Sequence, residues 1–209
     1  MTLGEMETNI RYALGLREPD EQPMILAAIQ AGVRDLLRRT SCFQQCIDAD
    51  LPDGATRFEL GPSIIKIVHI FRGGTRRERV GFHVLPAHAG CYAQTGQIIH
   101  WNEPFEVGES VQLYAVPRPD FTDAAWTDDS LLEDEQWGGI APEFQDAVEL
   151  YACSLLASRS DDSTSSMGQS YWVQYVGQDG HGGRCAEIRR ETNMLTGMTL
   201  GGAEVSFRP

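Results

Sequence analysis

The chain has 209 residues, 42% of them hydrophobic and 9% aromatic, enough to bury a core in one compact unit with an inserted subdomain. A formal net charge of -13 opposes the displacement of counterions from phosphate, so a free, sequence-specific nucleic-acid binder is not expected. The chain has no apolar run of about 18 residues and no basic-then-apolar opening, so neither a membrane span nor a signal peptide is expected. The five scattered cysteines fit reduced thiols in a cytoplasmic setting.

At the start, Thr2 and Glu5 have the spacing of a capping box, which predicts a short helix over residues 2–14. A second helix is expected after Asp20, with Ile25, Ile29, Val33 and Leu36/Leu37 on one stripe. Beyond Cys46 the period shortens. Residues 57–60 alternate, and residues 63–71 carry the β-branched run Ile64, Ile65, Ile67, Val68 and Ile70, which predicts a well-buried strand. Gly73-Gly74 supplies a turn. Val80, Phe82 and Val84 alternate, as do Val111, Leu113 and Ala115, and residues 97–101 give one more short strand. Residues 117–139 follow no period and are expected to form a long surface excursion. Pro142 suits a first helical position, with Phe144, Val148, Tyr151 and Leu155 following at helical spacing. A helix carrying Met167, Tyr171 and Tyr175 comes next. The last helix starts near Arg184 and carries Cys185, Ile188, Thr192 and Leu195 before glycines release a tail.

The order of elements predicts an α+β protein: a helical bundle with an inserted small antiparallel β-region and an extended C-terminal tail. The expected segments are bundle helices over 1–50, an inserted β-region with its long loop over 51–139, further bundle helices over 140–197, and a tail over 198–209.

Charge is unevenly spread. Residues 103–149 hold thirteen acidic side chains against one Arg, whereas residues 57–90 hold six basic groups against Glu59 and Glu78.

No catalytic constellation emerges. Cys42 and Cys46 lack the further ligands that zinc requires, so a structural reading is favoured. His83, His88 and Cys91 match no nucleophile signature. Gly73-Gly74-Thr75-Arg76-Arg77 lacks the Lys-Ser/Thr of a phosphate loop, and Asp128, Asp129 and Glu133-Asp134-Glu135 lack the spacing of a calcium loop. Tyr171, Trp172 and Tyr175 at helical spacing point to core or subunit contacts ahead of base stacking. No cofactor and no metal is expected.

Several stretches together carry a resemblance: MILAAIQAGVRDLL at 24–37, LPDGATRFEL at 51–60 with Pro62, Ile65 and Val68, IAPEFQDAVELY at 140–151, SRSDDSTSSMGQSY at 158–171, and GGRCAEIRRETN at 182–193. In this order and spacing, covering most of residues 1–197, the chain resembles the head-to-tail adaptor, or neck, proteins of tailed bacteriophages. The resemblance implies a non-enzymatic virion protein, assembled in the host cytoplasm. It would form a ring, commonly of twelve subunits, below the portal of a DNA-filled head. That ring would join head to tail, present a surface to the next neck or tail protein, and extend the channel for double-stranded DNA without sequence-specific binding.

A ring needs two different complementary patches per subunit. Arg72, Arg76, Arg77, Arg79, Tyr171 and Trp172 are the expected subunit-interface residues, and Glu133, Asp134 and Glu135 the expected channel lining. Arg184, Arg189, Arg190 and Phe207 are the expected portal contacts. A tail-completion protein lower in the neck is the alternative within this class. From other classes come a Cys/His hydrolase using Cys91 and His83, and a nucleic-acid-binding module.

Overall fold

The computed structural model describes residues 1–17, 21–49, 51–87, 89–106, 108–121, 140–159, 162–178 and 181–200. The chain divides into two units, a helical one made of Met1–Phe43 and Pro119–Pro209, and a sheet unit, Gln44–Arg118.

In the helical unit, α1 (Leu3–Leu14) begins at the capping box read from the sequence: Thr2 Oγ1 accepts from the Glu5 amide at 3.0 Å, and the Thr2 amide donates to Glu5 Oε2 at 2.8 Å. Helix α2 (Gln22–Thr40) buries Ile25, Ala28, Ile29, Val33, Leu36 and Leu37, the stripe its periodicity predicts. A 3₁₀ turn at Pro142–Phe144 leads into α3 (Gln145–Ala157), which packs on α1, α2 and α4 (Asp162–Val176). Central position explains its composition, since Ala147, Val148, Ala152, Cys153, Leu156 and Ala157 are all buried and mostly small. The expected stripe is corrected in part here. Phe144 and Val148 are buried, but Tyr151 and Leu155 lie at the margin facing α4.

Among residues 166–176, α4 buries only Gly168 and Tyr175, which sit seven positions apart on one face. A Cβ on Gly168 would stand 2.7 Å from Ser158 Oγ and 3.1 Å from the Ser154 carbonyl, so the missing side chain is what allows α4 to lie this close to α3. A two-strand hairpin, β8 (Gly177–Gln178) with β9 (His181–Gly182), turns the chain into α5 (Arg184–Leu200). Cys185 and Ile188 of α5 are buried. Helix α5 runs on through Gly197 to Leu200, so the expected tail does not begin at 198; residues 201–209 lie outside those described.

The sheet unit holds seven strands among its described residues: β1 (Gln45–Ala49), β2 (Arg57–Glu59), β3 (Ile64–Arg72), β4 (Thr75–Arg79), β5 (Cys91–Thr95), β6 (Ile98–Trp101) and β7 (Val111–Pro117). They form one sheet in the order β1-β7-β3-β4-β5-β6-β2. Five neighbouring pairs are antiparallel, and β4 with β5 is parallel, with Glu78 opposite Cys91 and Arg79 opposite Tyr92. Leu60, Ile67, Ile70, Tyr92, Ile99, Trp101, Phe105, Val111, Leu113 and Ala115 belong to its core.

This sheet overturns the expectation of a helical bundle with a small antiparallel insert. The molecule is an α+β protein whose mixed seven-stranded sheet has a core of its own, with five α-helices among the described residues. The error has local causes. Three strands, β1, β4 and β5, carry too little apolar alternation to be read, because their stability comes from pairing to neighbours. Conversely, Val80, Phe82 and Val84 alternate but are not a strand. They begin the crossover between parallel strands, which includes a 3₁₀ turn at Leu85–Ala87. Among the described residues no helix is long and apolar enough to cross a membrane.

Candidate interaction surfaces

The most unusual surface of the helical unit is the outer face of α4. In a chain with 22% charged residues, none occurs between Asp162 and Asp179, yet seven of the eleven residues 166–176 are exposed. Met167 is 43% exposed, Trp172 37% and Val173 41%, three of the six large apolar side chains left exposed among the described residues. Trp172 is nevertheless held in place. Its ring lies 5.8 Å from Tyr175 and 6.2 Å from Tyr151, and the Arg39 guanidinium sits 5.2 Å over its face. Arg39 is in turn tethered to Asp35, which also accepts a 2.9 Å hydrogen bond from the Tyr175 hydroxyl. Burial, aided by Cys185 and Asp35, raises the Tyr175 pKa and keeps the hydroxyl protonated as a donor. Beside Trp172 a groove of about 360 Å³ runs between α3 and α4, lined by Tyr151, Ser154, Leu155, Ser158, Gly168 and Gln169.

The sheet unit presents a different chemistry. Arg72 is 5% exposed and engages its guanidinium internally: Nε and Nη2 donate to the two Glu109 carboxylate oxygens at 2.6 and 2.8 Å, and Nη1 and Nη2 donate to the carbonyls of Glu103 and Pro104 at 3.0 and 2.6 Å. Its cation also lies 4.2 Å from the Phe105 ring centroid. Arg76 and Arg79 are exposed, while Arg77 is half-buried, with a buried Nε that has no hydrogen-bond partner among the described residues. Burial and then the Arg76 charge lower the His69 pKa, so this imidazole adds no positive charge at neutral pH. Gly73 and Gly74 both take positive φ, +55° and +73°, and form the β3–β4 turn; they do not open a helix as a phosphate loop does. Just beyond β4, Phe82 is 59% exposed and rests edge-on against His100 at 4.8 Å. It is the sheet unit's one exposed large apolar side chain among the described residues.

The remaining expected contacts fall as follows. Arg184 binds Asp146 at 2.9 Å, Glu187 at 3.1 Å and the Glu143 carbonyl at 2.8 Å, which ties the start of α5 to the start of α3. Arg189 donates to the Arg39 carbonyl at 3.0 Å and so satisfies an acceptor in the last turn of α2. Arg190 is exposed. Phe207 and the acidic trio Glu133, Asp134 and Glu135 lie outside the described residues, as does His88.

Cys91 is half-buried and His83 exposed, and no contact joins them among the described residues. Burial raises the thiol pKa of Cys153 to about 12 and that of Cys185 to about 11, and it also raises Cys42. These are packed, protonated thiols. No group of His, Cys, Asp and Glu side chains suited to holding a metal ion occurs among the described residues.

Reading the sequence singled out Tyr171 and Trp172 but missed Phe82, Met167 and Val173 as exposed groups, and it missed the Asp35–Tyr175–Arg39 support beneath Trp172. The absence of charge from Ser163 to Gln178 was the available signal. Comparison with protein-family models gives no match, and comparison with curated proteins gives no relative.

Proposed function

We propose that this chain is a structural component of a tailed-phage neck. In this reading it forms a ring below the portal, joins the DNA-filled head to the tail, and continues the channel through which the genome passes. The ordered resemblance of its segments to head-to-tail adaptors motivates the reading, and the partition of charge carries it. The sheet unit is close to neutral, with eight acidic against seven basic residues, whereas the helical unit with its excursion holds twenty-two acidic against ten basic. A collar that lets DNA slide must not grip it, and a surplus of carboxylates repels phosphate at the range of a Debye length. A ring also needs unlike patches on each subunit. An uncharged aromatic face on one unit and exposed arginines on the other meet that need.

In this role the partners are identical copies, the portal, the next neck or tail protein, and passing double-stranded DNA that is not bound by sequence. Neither cofactor nor metal takes part. Electron microscopy of the purified chain mixed with the portal of its phage tests the proposal: a collar of density should appear on the tail-facing side of the portal. Particles that lack the chain yet still join heads to tails and retain their genome would refute it.

A further inference from the structure

We infer that α5 and the exposed face of α4 are the two ends of one latch, closed by Arg39 and Asp35 of α2, so that opening α5 frees Trp172 and disturbing Arg39 opens α5. The inference is independent of the adaptor reading and concerns the helical unit alone.

Three observations lead to it. First, a continuous line of contacts joins the two ends. The Arg39 guanidinium lies 5.2 Å over the Trp172 ring and pairs with Asp35, and the same Asp35 oxygen, Oδ2, accepts the Tyr175 hydroxyl at 2.9 Å. That hydroxyl is also hydrogen-bonded with the Cys185 thiol of α5. Second, Arg39 serves both ends at once: its side chain holds Trp172, while its backbone carbonyl accepts from Arg189 of α5 at 3.0 Å. Third, the described part of α5 is attached by few apolar contacts and several polar ones. Between Arg184 and Asn193 only Cys185 and Ile188 are buried, and Arg184 adds its ties to Asp146 and the Glu143 carbonyl where the Asp146 side chain is 56% exposed. A helix held in this way is of the kind that opens before the rest of a structure unfolds.

The two directions of coupling follow from charge. Opening α5 admits water to Tyr175, which is fully buried in the closed state, and to the Asp35–Arg39 pair; the pair weakens, and Arg39 leaves the Trp172 face. Conversely, removing the guanidinium leaves the Asp35 carboxylate uncompensated beside Tyr175 and Cys185, which penalises the closed state. Coupling of this kind is reciprocal.

The test uses hydrogen exchange, read by mass spectrometry, on the full-length chain. Arg39→Gln keeps the backbone carbonyl for Arg189 and removes the guanidinium, so the amides of residues 188–193 should exchange at least tenfold faster than in the wild type while those of α3 are unchanged. Tyr175→Phe deletes the bridging hydroxyl and keeps the ring; it should accelerate the same amides at least threefold, and it decides the point if Arg39→Gln does not fold. The reverse direction is read in Arg189→Ala, by fluorine NMR of the chain labelled with fluorotryptophan, the Trp172 resonance being assigned with Trp172→Phe. That resonance should move, while that of Trp101 in the sheet unit stays in place.

Exchange of residues 188–193 that stays at the wild-type rate in a folded Arg39→Gln, or in Tyr175→Phe, overturns the inference. So does an Arg189→Ala chain whose Trp172 resonance is unmoved, since α5 would then be released without any effect on α4. Acceleration that is equal in α3 also overturns it, because the whole unit would be loosening and not one latch within it. None of these outcomes bears on the adaptor reading, which stands or falls on the portal experiment above.

Discussion

Arg72 offers the sharpest test of how the sheet unit is held together. Arg72→Met keeps the apolar stem but leaves the Glu109 carboxylate and the carbonyls of Glu103 and Pro104 without their donor. Breaking a buried ion pair by removing one partner typically costs about 3–5 kcal/mol. The Glu109 side chain retains 20% exposure and can recruit water, so the expected loss lies at the lower end, about 3 kcal/mol. Glu109→Gln keeps one acceptor oxygen but removes the charge and sets its amide NH2 against an Arg72 N–H, so about 1–3 kcal/mol is expected. The double variant should lose less than the sum of the two, with a coupling of about 1–2 kcal/mol.

Urea unfolding, with hydrogen exchange of the β3 and β7 amides to place the loss in the sheet unit, measures these values. A cost below about 1 kcal/mol for Arg72→Met, or strict additivity of the two changes, would refute the reasoning. Acid adds an independent check. The hydrogen bonds from Arg72 lower the Glu109 pKa in the folded state, so the stability it contributes is present above the unfolded value near 4.5 and is lost as pH falls through the folded value. Glu109→Gln should lack that component of the acid transition.

Three further outcomes are expected. The Cys153 and Cys185 thiols, raised to about 12 and about 11, should resist a disulfide reagent at pH 8 while exposed Cys46 reacts quickly; equal rates at all three would contradict their burial. Gly168→Ala should destabilise the helical unit by about 1–3 kcal/mol through overpacking against Ser154 and Ser158, outweighing a helix-propensity gain of at most about 1 kcal/mol, and thermal unfolding reads the net sign. Tyr175→Phe removes the hydroxyl's hydrogen bonds with Asp35 and the Cys185 thiol while the ring contacts and the Asp35–Arg39 pair persist, so a loss of about 1–2 kcal/mol in chemical denaturation is expected; a loss above about 4 kcal/mol would mean that the hydroxyl supports more than these two bonds.

What could be read from the sequence was whatever is decided within one element. The capping box at Thr2 and Glu5, the stripe of α2 and the β-branched run of β3 each answer to a local period or a local hydrogen bond. What could not be read depends on a neighbour. The run Thr75-Arg76-Arg77-Glu78-Arg79 has no apolar period, and it becomes a strand because the Gly73-Gly74 turn folds it onto β3 and β5 lies along its other side. Arg72 belonged to a basic cluster only when charge was counted along the chain. Parity along β3 assigns it otherwise, since Ile70, two residues earlier, faces the core and Arg72 therefore does too.

The same reasoning applies to α4. Met167, Tyr171 and Tyr175 fall at helical spacing, a pattern that fits core and subunit contacts alike; of the three only Tyr175 is buried, and Gly168 takes the other inward position and draws the helix against α3. Rotating the inward face from Met167 to Gly168 moves Met167, Trp172 and Val173 outward. A glycine contributes nothing to a hydrophobic pattern, so a helix packed through one shows its strongest apolar signal on the wrong face. An apolar face left outward raises the tendency to aggregate unless it has an occupant. The supported Trp172 and the lack of any charge from Ser163 to Gln178 are features that an interface in the proposed assembly would require.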